Sequence, residues 1–286
     1  MGLETACVPG APQADAELKR ENSVVRIQNL RVPRKLGQHF LSSESILNRI
    51  AEAVCPEHVP LVIEIGPGRG ALTRKLLERA DRVVAIEVDA ELVEHLRATF
   101  GAALEVVHAD VLTVDLAQWG HVPIGGNLPY YITSPILEKA ARAYPPRAVF
   151  LMQKEVAQRL TAKAGTRDYG FLTVQTAIFA HARMLFDVKP GAFRPPPKVD
   201  SSVVLLEPHI TEHPEGFLEF VSRAFRQKRK TLRNNLVEHY PVIATQPEAS
   251  LRAEQLSVEQ LLSVFIRVHP WPKADASPDN AHAPSG

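Results

Sequence analysis

A glycine-rich turn between an apolar run and an amphipathic segment constrains the fold of this chain of 286 residues most strongly. The apolar run 61–65 ends at Gly66, and Gly68 and Gly70 follow at alternate positions. After the turn, apolar residues recur at helical spacing, which predicts a helix at 71–80. A strand that turns tightly into a helix is typical of a parallel α/β sheet, and the turn leaves backbone N–H groups available to a ligand.

Strands and helices continue to alternate after this turn. A second helix is predicted at 90–100. Further strands are predicted at 82–88, 104–108, 123–125, 148–152, 184–188 and 202–206. The last two are close enough in sequence to pair as a hairpin-like end of the sheet. This alternation predicts a parallel sheet with helices on both faces and a ligand beyond the carboxyl ends of its strands.

The pattern changes near residue 208. Three helices with no strand between them are predicted at 215–225, 228–239 and 257–268. We therefore predict an α/β domain at 31–209 and a small all-helical domain at 210–270. Residues 1–30 and 271–286 lack sustained apolar periodicity and are predicted to be disordered.

The composition argues against several classes of protein. No apolar run approaches the roughly 20 residues that a membrane span needs, and no basic segment followed by an apolar one suggests a secretory signal. Two cysteines, Cys7 and Cys55, provide neither a disulfide framework nor metal-ligand spacing. We expect a cytoplasmic monomer that binds no metal and no membrane.

Three acids occur at successive strand ends. Glu64 lies in the first strand, and Glu87 ends the second, where a carboxylate can accept ribose hydroxyls. Asp110 follows the third strand and could accept from an adenine amino group. Each acid alone could instead cap a helix, but together they indicate a nucleotide-like cofactor. The glycines differ from the dinucleotide fingerprint G-x-G-x-x-G, because Gly70 falls one position early.

The tetrapeptide Asn127-Leu128-Pro129-Tyr130 follows the turn by about 60 residues. The oxygen of Asn127 and the backbone carbonyl of Leu128 can accept the two N–H groups of a planar amine. Pro129 restricts the backbone, and Tyr130 offers a ring that can stack on a base. This combination predicts methylation of an exocyclic amino group on a nucleic-acid base.

Basic residues concentrate in the C-terminal region, although the net charge is only +1. Residues 223–233 contain no acid, and on a continuous helix one face would carry Arg226, Arg229, Lys230 and Arg233. Such a face suits RNA phosphates; the alternative is an ordinary solvated helix face. A shorter basic group lies near the start of the chain: Arg31, Arg34 and Lys35.

Two further segments complete a resemblance to a known family. Residues 35–41 read Lys-Leu-Gly-Gln-His-Phe-Leu, and residues 191–201 read Gly-Ala-Phe-Arg-Pro-Pro-Pro-Lys-Val-Asp-Ser. With the turn, the acids and the tetrapeptide, they resemble the ribosomal RNA adenine dimethyltransferases over about residues 31–270. The resemblance implies a Rossmann-like methyltransferase sheet with a small C-terminal all-helical domain, and S-adenosyl-L-methionine as cofactor.

The resemblance also implies a substrate and a set of site residues. The substrate is small-subunit ribosomal RNA or a pre-small-subunit particle, dimethylated at N6 of two adjacent adenines near the 3′ end. Phe193 is the candidate to cover the second face of the target base, with core packing as the alternative. His39 replaces an asparagine that is common in the family. The implied cofactor contacts fall on His39, Leu41, Gly66, Gly68, Glu87, Asp110 and Asn127.

Three alternatives remain open on the sequence. A resistance-type methyltransferase acting on large-subunit RNA shares the turn and the tetrapeptide, but the run after Phe193 and the long helical region favour the small-subunit enzyme. A nucleotide-dependent oxidoreductase is disfavoured by the early third glycine. A non-catalytic RNA-binding assembly factor is disfavoured because Asn127 and Glu87 are both present.

Overall fold

The computed structural model describes residues 39–129, 132–209, 211 and 213–269. Its strands are β1 (Phe40–Leu41), β2 (Val59–Ile65), β3 (Ala80–Glu87), β4 (Leu104–His108), β5 (Ile124–Asn127), β6 (Ala148–Gln153), β7 (Ala180–Val188), β8 (Phe193–Arg194) and β9 (Ser201–Pro208). Its α-helices are α1 (Glu44–Val54), α2 (Ala71–Leu77), α3 (Ala90–Phe100), α4 (Thr133–Arg142), α5 (Lys154–Leu160), α6 (Phe171–Phe179), α7 (Pro214–Ala224), α8 (Leu232–Leu236) and α9 (Val258–Val268).

A seven-stranded sheet in the order β4-β3-β2-β5-β6-β9-β7 forms the centre. The neighbours from β4 to β6 run parallel, whereas β9 is antiparallel to both β6 and β7. The predicted α/β fold and the hairpin-like end are therefore confirmed. The chain order reverses between β2 and β5, and such a switch point opens a crevice at the carboxyl ends of the strands.

Side chains of the central strands alternate between two hydrophobic clusters. Ile63 and Phe150 belong to the first cluster, whereas their neighbours Val62 and Leu151 belong to the second. Residues of α1, α2 and α3 complete the second cluster, and residues of α4 to α9 complete the first. Successive residues of a strand point to opposite faces, so both faces of this sheet are buried and the helices cover both, as predicted.

The C-terminal helices pack into the first cluster. Phe265 of α9 and Phe217 of α7 are both 0% exposed, and their ring centroids lie 5.5 Å apart. The same cluster contains Ile63 of β2 and Phe150 of β6. The α7–α9 region is therefore continuous with the core of the sheet, and the domain boundary at residue 210 stays a prediction.

The helix predicted at 228–239 is wrong. α7 ends at Ala224, residues 225–230 form turns, and only Leu232–Leu236 is helical. The segment 226–230 has no apolar side chain to bury, and like charges at helical spacing repel. The Thr231 hydroxyl then starts the next helix by accepting the Asn234 N–H at 3.4 Å. The basic residues thus do not share one helix face.

Other sequence predictions differ less from the structure. The helix predicted at 71–80 ends at Leu77, because Ala80 already pairs with Val59 of β2. The predicted disordered segments 1–30 and 271–286 lie outside the described residues. None of the described helices is long and apolar enough to cross a membrane.

Candidate active site

The glycine-rich turn joins β2 to α2 at the switch point of the sheet. Gly66, Gly68 and Gly70 have φ of 68°, 58° and 80°, the left-handed region that favours glycine. A Cβ on Gly70 would lie 2.4 Å from Cε2 of Phe100, so a side chain there would have to displace the Phe100 ring. A Cβ on Gly66 would lie 3.5 Å from the Asn127 carbonyl oxygen. The glycine turn and the tetrapeptide therefore lie side by side.

Glu87 ends β3 and directs its carboxylate to backbone N–H groups. Oε2 accepts from Gly68 at 3.2 Å, and Oε1 accepts from Val88 at 2.9 Å and Asp89 at 3.0 Å. The residue is 6% exposed, and desolvation by burial raises its pKa. These contacts use three of the roughly four lone-pair sites of a carboxylate. About one site remains for a ribose hydroxyl, where the sequence suggested both hydroxyls.

Glu64 lies beneath the turn in a buried position. It is 1% exposed, and the Thr73 hydroxyl of α2 donates to its Oε2 at 2.5 Å. Burial raises the pKa of Glu64 to about 8; the bond from Thr73 opposes the shift and the charge of Glu87 adds to it. At neutral pH the carboxyl is therefore mostly protonated, and Glu64 links β2 to α2 as a neutral group.

Asp110 follows β4 and caps a short 3-10 turn, Val111–Thr113. Its Oδ1 accepts the Leu112 N–H at 2.9 Å. This capping is one of the alternatives that the sequence left open. The half-buried carboxylate retains further acceptor sites, so capping and contact with an amino group in the crevice are compatible.

Two exposed apolar side chains near these acids were not predicted. Val88 directly follows Glu87 and is 43% exposed, and Leu112 lies two residues after Asp110 and is 37% exposed. Apolar side chains beside a few polar groups are typical of sites for planar ligands. In the sequence, the signal for these two side chains is an apolar residue one or two positions after a strand-end acid. It can be recognised only after the structure has shown where the acids lie.

Asn127 ends β5, and Leu128 and Pro129 continue from it. The Nδ2 atom of Asn127 donates to the backbone carbonyl of His39 at 3.4 Å. The Leu128 N–H donates to the carbonyl of Leu151 at 3.0 Å, and its side chain is 2% exposed. The Pro129 carbonyl accepts from the N–H of Ile132 and the hydroxyl of Thr133. The start of α4 therefore fixes the backbone at Pro129. Tyr130 lies outside the described residues.

The short strands β1 and β8 form a strap beside the turn. Phe40 pairs with Arg194, and Leu41 pairs with Phe193. The Phe40 ring lies 3.2 Å from where a Cβ on Gly68 would stand. The Nδ1–H of His39 donates to the carbonyl of Pro195 at 2.8 Å. The ring of His39 thus bonds to the segment that follows β8, and the backbone carbonyl of His39 accepts from Asn127.

The structure corrects the role predicted for Phe193. Its side chain is 0% exposed and packs in the second hydrophobic cluster with Leu41, which is 6% exposed. No surface of the ring is available to stack on a base. Core packing, the alternative, describes Phe193, and Leu41 supports the strap from within the core.

The predicted basic residues lie on a loop. Residues 225–231, here called the basic loop, connect α7 to α8. Its side chains Arg226, Lys228, Arg229 and Lys230 are exposed, as is Arg233 on α8. Arg223, on α7, pairs with Glu219 at 2.6 Å, whereas no acid in the described part of the chain pairs with those five. Arg31, Arg34 and Lys35 lie outside the described residues.

Within the described ranges, no group of three or more His, Cys, Asp or Glu side chains could hold a metal ion. Cys55 is buried, and desolvation raises the pKa of its thiol to about 11, so it is a poor nucleophile near neutral pH. The polar groups of the crevice are therefore acceptors and backbone N–H donors, which suit binding of a nucleoside and capture of an amine.

A family model described as ribosomal RNA adenine dimethylase matches residues 29–269. The chain belongs to this family. Its Rossmann-like methyltransferase fold and its activity as an rRNA adenine dimethyltransferase follow from that membership.

Relatives and solved structures agree with this assignment. Ribosomal RNA small subunit methyltransferase A of Chlorobium phaeobacteroides (strain BS1) is 42% identical over 84% of this dimethylase and 95% of its own length. The protein of that name from Acidobacterium capsulatum is 41% identical over 81% of this chain and 89% of its own length. The structure resembles a dimethyladenosine transferase from Plasmodium falciparum, with a TM-score of 0.67 and 26% identity. The match covers 80% of this chain and 97% of that one. The structure also resembles the 23S rRNA methyltransferase ErmE, with a TM-score of 0.60, 30% identity and coverage of 80% and 99%.

Proposed function

We propose that this dimethylase uses S-adenosyl-L-methionine to dimethylate N6 of two adjacent adenines near the 3′ end of small-subunit ribosomal RNA. The relatives at 42% and 41% identity are named as small-subunit methyltransferases. The proposed setting is the cytoplasm, during assembly of the small subunit, with the enzyme as a monomer.

The orientation of the Asn127 carboxamide carries the proposal. Its nitrogen is turned to the His39 carbonyl, so the oxygen of the same group is turned away from that bond. The Asn127 backbone lies beside Gly66 of the turn. We propose that this oxygen is the acceptor that an incoming amine meets beside the cofactor turn.

Capture of the amine by two acceptors favours attack. The N6 lone pair of adenine is delocalised into the ring, and it becomes nucleophilic as the nitrogen approaches tetrahedral geometry. Asn127 Oδ1 and the Leu128 carbonyl accept its two hydrogens and stabilise the positive charge that develops on nitrogen. Bound S-adenosyl-L-methionine supplies a methyl group on a positively charged sulfur. During transfer of that methyl group, Asn127 Oδ1 and the Leu128 carbonyl would hold the amine in place, and the methylated nitrogen would release its proton to solvent.

The residues of the crevice fit the proposed cofactor. Glu87 retains about one acceptor site for a ribose hydroxyl. Asp110 offers acceptor sites for an amino group, and Val88 and Leu112 offer exposed apolar surface for a planar base. Gly66 and Gly68 leave room for a ligand to approach the backbone closely.

Two successive transfers set different demands on the same acceptors. After the first methylation N6 keeps one hydrogen, so one of the two acceptors loses its partner. The backbone carbonyl of Leu128 can turn to solvent less readily than a side chain, because α4 and β6 hold the neighbouring backbone. We propose that the Leu128 carbonyl keeps the remaining hydrogen bond, and that the side chain of Asn127 loses its partner.

The basic loop is the proposed RNA grip. Its cations are exposed and have no acidic partner in the described structure, so they are available to phosphates. Each neutralised phosphate adds roughly 0.7–0.9 to the salt slope of binding. This grip works from a loop, and it does not need the helix face that the sequence predicted.

Transfer of tritiated methyl groups tests the proposal. Small and large subunits are purified from a strain that lacks the modification and are incubated separately with the enzyme. We expect label at N6 of adenine in small-subunit RNA only. Label in large-subunit RNA would instead support the resistance-type alternative, to which the likeness to the 23S enzyme points. Absence of transfer to either subunit would support a non-catalytic assembly factor.

A further inference from the structure

One neutral side chain fastens the basic loop. Asn235 lies on α8, and its Nδ2 atom donates to the Ala224 carbonyl at 2.8 Å and to the Gln227 carbonyl at 3.2 Å. Ala224 is the last residue of α7, and Gln227 lies inside the basic loop. A single amide group therefore ties the end of one helix and the middle of the loop to the next helix.

The two hydrogen bonds of the Asn235 side chain are here called the clamp. Backbone hydrogen bonds within the loop add to it. The Arg226 N–H donates to the Arg223 carbonyl at 3.1 Å, and the Lys230 N–H donates to the Gln227 carbonyl at 2.9 Å. The carbonyl of Gln227 thus receives both Lys230 and Asn235. The last carbonyls of a helix lack intrahelical partners, so the bond to Ala224 also satisfies the end of α7.

The chemistry of the clamp suits a surface that must keep its charge. The cations of the loop repel one another, which favours an open and disordered loop. An acidic side chain could hold them together, but it would cancel part of the charge. The carboxamide of Asn235 holds the loop through carbonyl groups, and the cations of the loop have no acidic partner among the described residues.

We propose that Asn235 is a positioning residue for RNA binding, which fixes the basic loop in a shape that several phosphates can meet at once. This inference rests on the proposed function, because it assigns the basic loop to RNA. A pre-shaped loop loses less conformational entropy on binding than a flexible one. Removal of the clamp should therefore weaken RNA binding without changing any charge.

The first test compares Asn235→Ala with Asn234→Ala. Both changes remove a neutral amide from the same helix, but Asn234 is exposed and only its backbone N–H makes a bond in the described structure. We expect Asn235→Ala to weaken RNA binding about tenfold, as for loss of two hydrogen bonds, and to lower the salt slope by about one. The KM for small subunits should rise while kcat and cofactor affinity stay unchanged. Asn234→Ala should behave as wild type.

The second test separates positioning from general stability. Asn235→Ala is combined with a variant in which Arg226, Arg229, Lys230 and Arg233 are all Gln. If the clamp acts through the cations, its loss should weaken RNA binding in the wild type but hardly further in the Gln variant. An equal loss in both backgrounds would overturn the proposal.

The remaining outcomes distinguish this inference from the proposed function. If the Gln variant loses its salt dependence but Asn235→Ala binds RNA normally, the clamp is overturned and the RNA grip stands. If the Gln variant binds as wild type, the grip itself is overturned. Should Asn235→Ala fail to fold, Asn235→Leu keeps a side chain of similar size, stays neutral and removes the donor. RNA binding by that variant at wild-type affinity would also overturn the clamp.

Discussion

At Asn127, the amide nitrogen donates to the His39 carbonyl and the oxygen is the proposed acceptor for the amine, so a change of this side chain tests the amine-capture chemistry directly. Asn127→Ala should lower kcat by about 10²-fold or more, because an acceptor aimed at developing charge is lost. RNA affinity should stay nearly intact. Single-turnover methylation of small subunits measures the effect, with cofactor affinity determined in the same variant. A rate near that of wild type would rule out this role for Asn127.

Glu87 connects three backbone N–H groups to the proposed ribose site. Glu87→Ala should weaken binding of S-adenosyl-L-methionine by about 1.5–3 kcal/mol, as expected for hydrogen bonds to a charged group. The loss should include loosening of the Gly68 turn, since that N–H loses its acceptor. Asp110→Ala serves as the comparison, with a smaller loss, because an amino group also meets neutral acceptors. Calorimetry that gives equal affinities for Glu87→Ala and the wild type would contradict the assignment.

Glu64 predicts a pH dependence of stability. Its pKa is about 8 in the folded protein against an ordinary value of 4.5, so the folded state holds a proton that the unfolded state releases. The stabilisation is complete below the ordinary pKa and is lost as the pH rises through the folded pKa. Chemical denaturation of Glu64→Gln, which stays neutral, should show a flatter profile between about pH 5 and about pH 8. Parallel profiles for the two proteins would show that Glu64 is ionised when folded.

The positions of the site residues could be predicted, but their bonding could not. Glu87 and Asn127 follow apolar runs, and strand ends meet at one edge of a parallel sheet. The bond from Gly68 to Glu87 depends on φ in the turn, which periodicity does not specify. The burial of Phe193 depends on the pairing of β1 with β8, two strands too short to leave a periodic signal.

Among the helices and strands, the sequence predicted the bounds correctly where a row of apolar residues packs against another element. α3 and β4 have the predicted bounds, because each carries apolar residues at its own period and a clear end. The helix predicted at 228–239 failed because charge spacing was taken as helical periodicity. A row of cations gives a helix nothing to bury, and most helical stability in proteins comes from tertiary packing.

The cations of the basic loop and of α8 lead to a prediction about RNA binding. Replacement of Arg226, Arg229, Lys230 and Arg233 by Gln should weaken RNA binding and flatten its salt dependence, by up to about 3 units of log–log slope. Titrations at several salt concentrations measure this slope. Folding and cofactor affinity should stay unchanged, because exposed cations contribute little to stability. An unaltered slope would mean that the RNA is held elsewhere, for which Arg31, Arg34 and Lys35 are the proposed candidates.

For the whole molecule, the first hydrophobic cluster predicts a single cooperative unit. Phe265→Ala should cost about 3–5 kcal/mol, the usual range for a buried phenylalanine. Because Phe265 shares its cluster with β2 and β6, helicity and cofactor binding should be lost in the same thermal transition.

Ile266→Ala is the matched control for this change. Ile266 is the next residue of α9 and is 45% exposed, so its replacement should have little effect on stability. If helices α7 to α9 of the Phe265→Ala protein melt first while cofactor binding persists, residues 210–270 form an independent domain.

The shared core has a consequence for how two neighbouring nucleotides are reached. The methyl-transfer crevice and the basic loop belong to elements of one continuous cluster, so the span between them is set by packing. With the basic loop as the proposed RNA grip, we expect the enzyme to select a nucleotide by its distance along a folded RNA from the phosphates that the loop contacts. On this proposal, we expect the second adenine to reach the crevice only when the RNA shifts by one nucleotide.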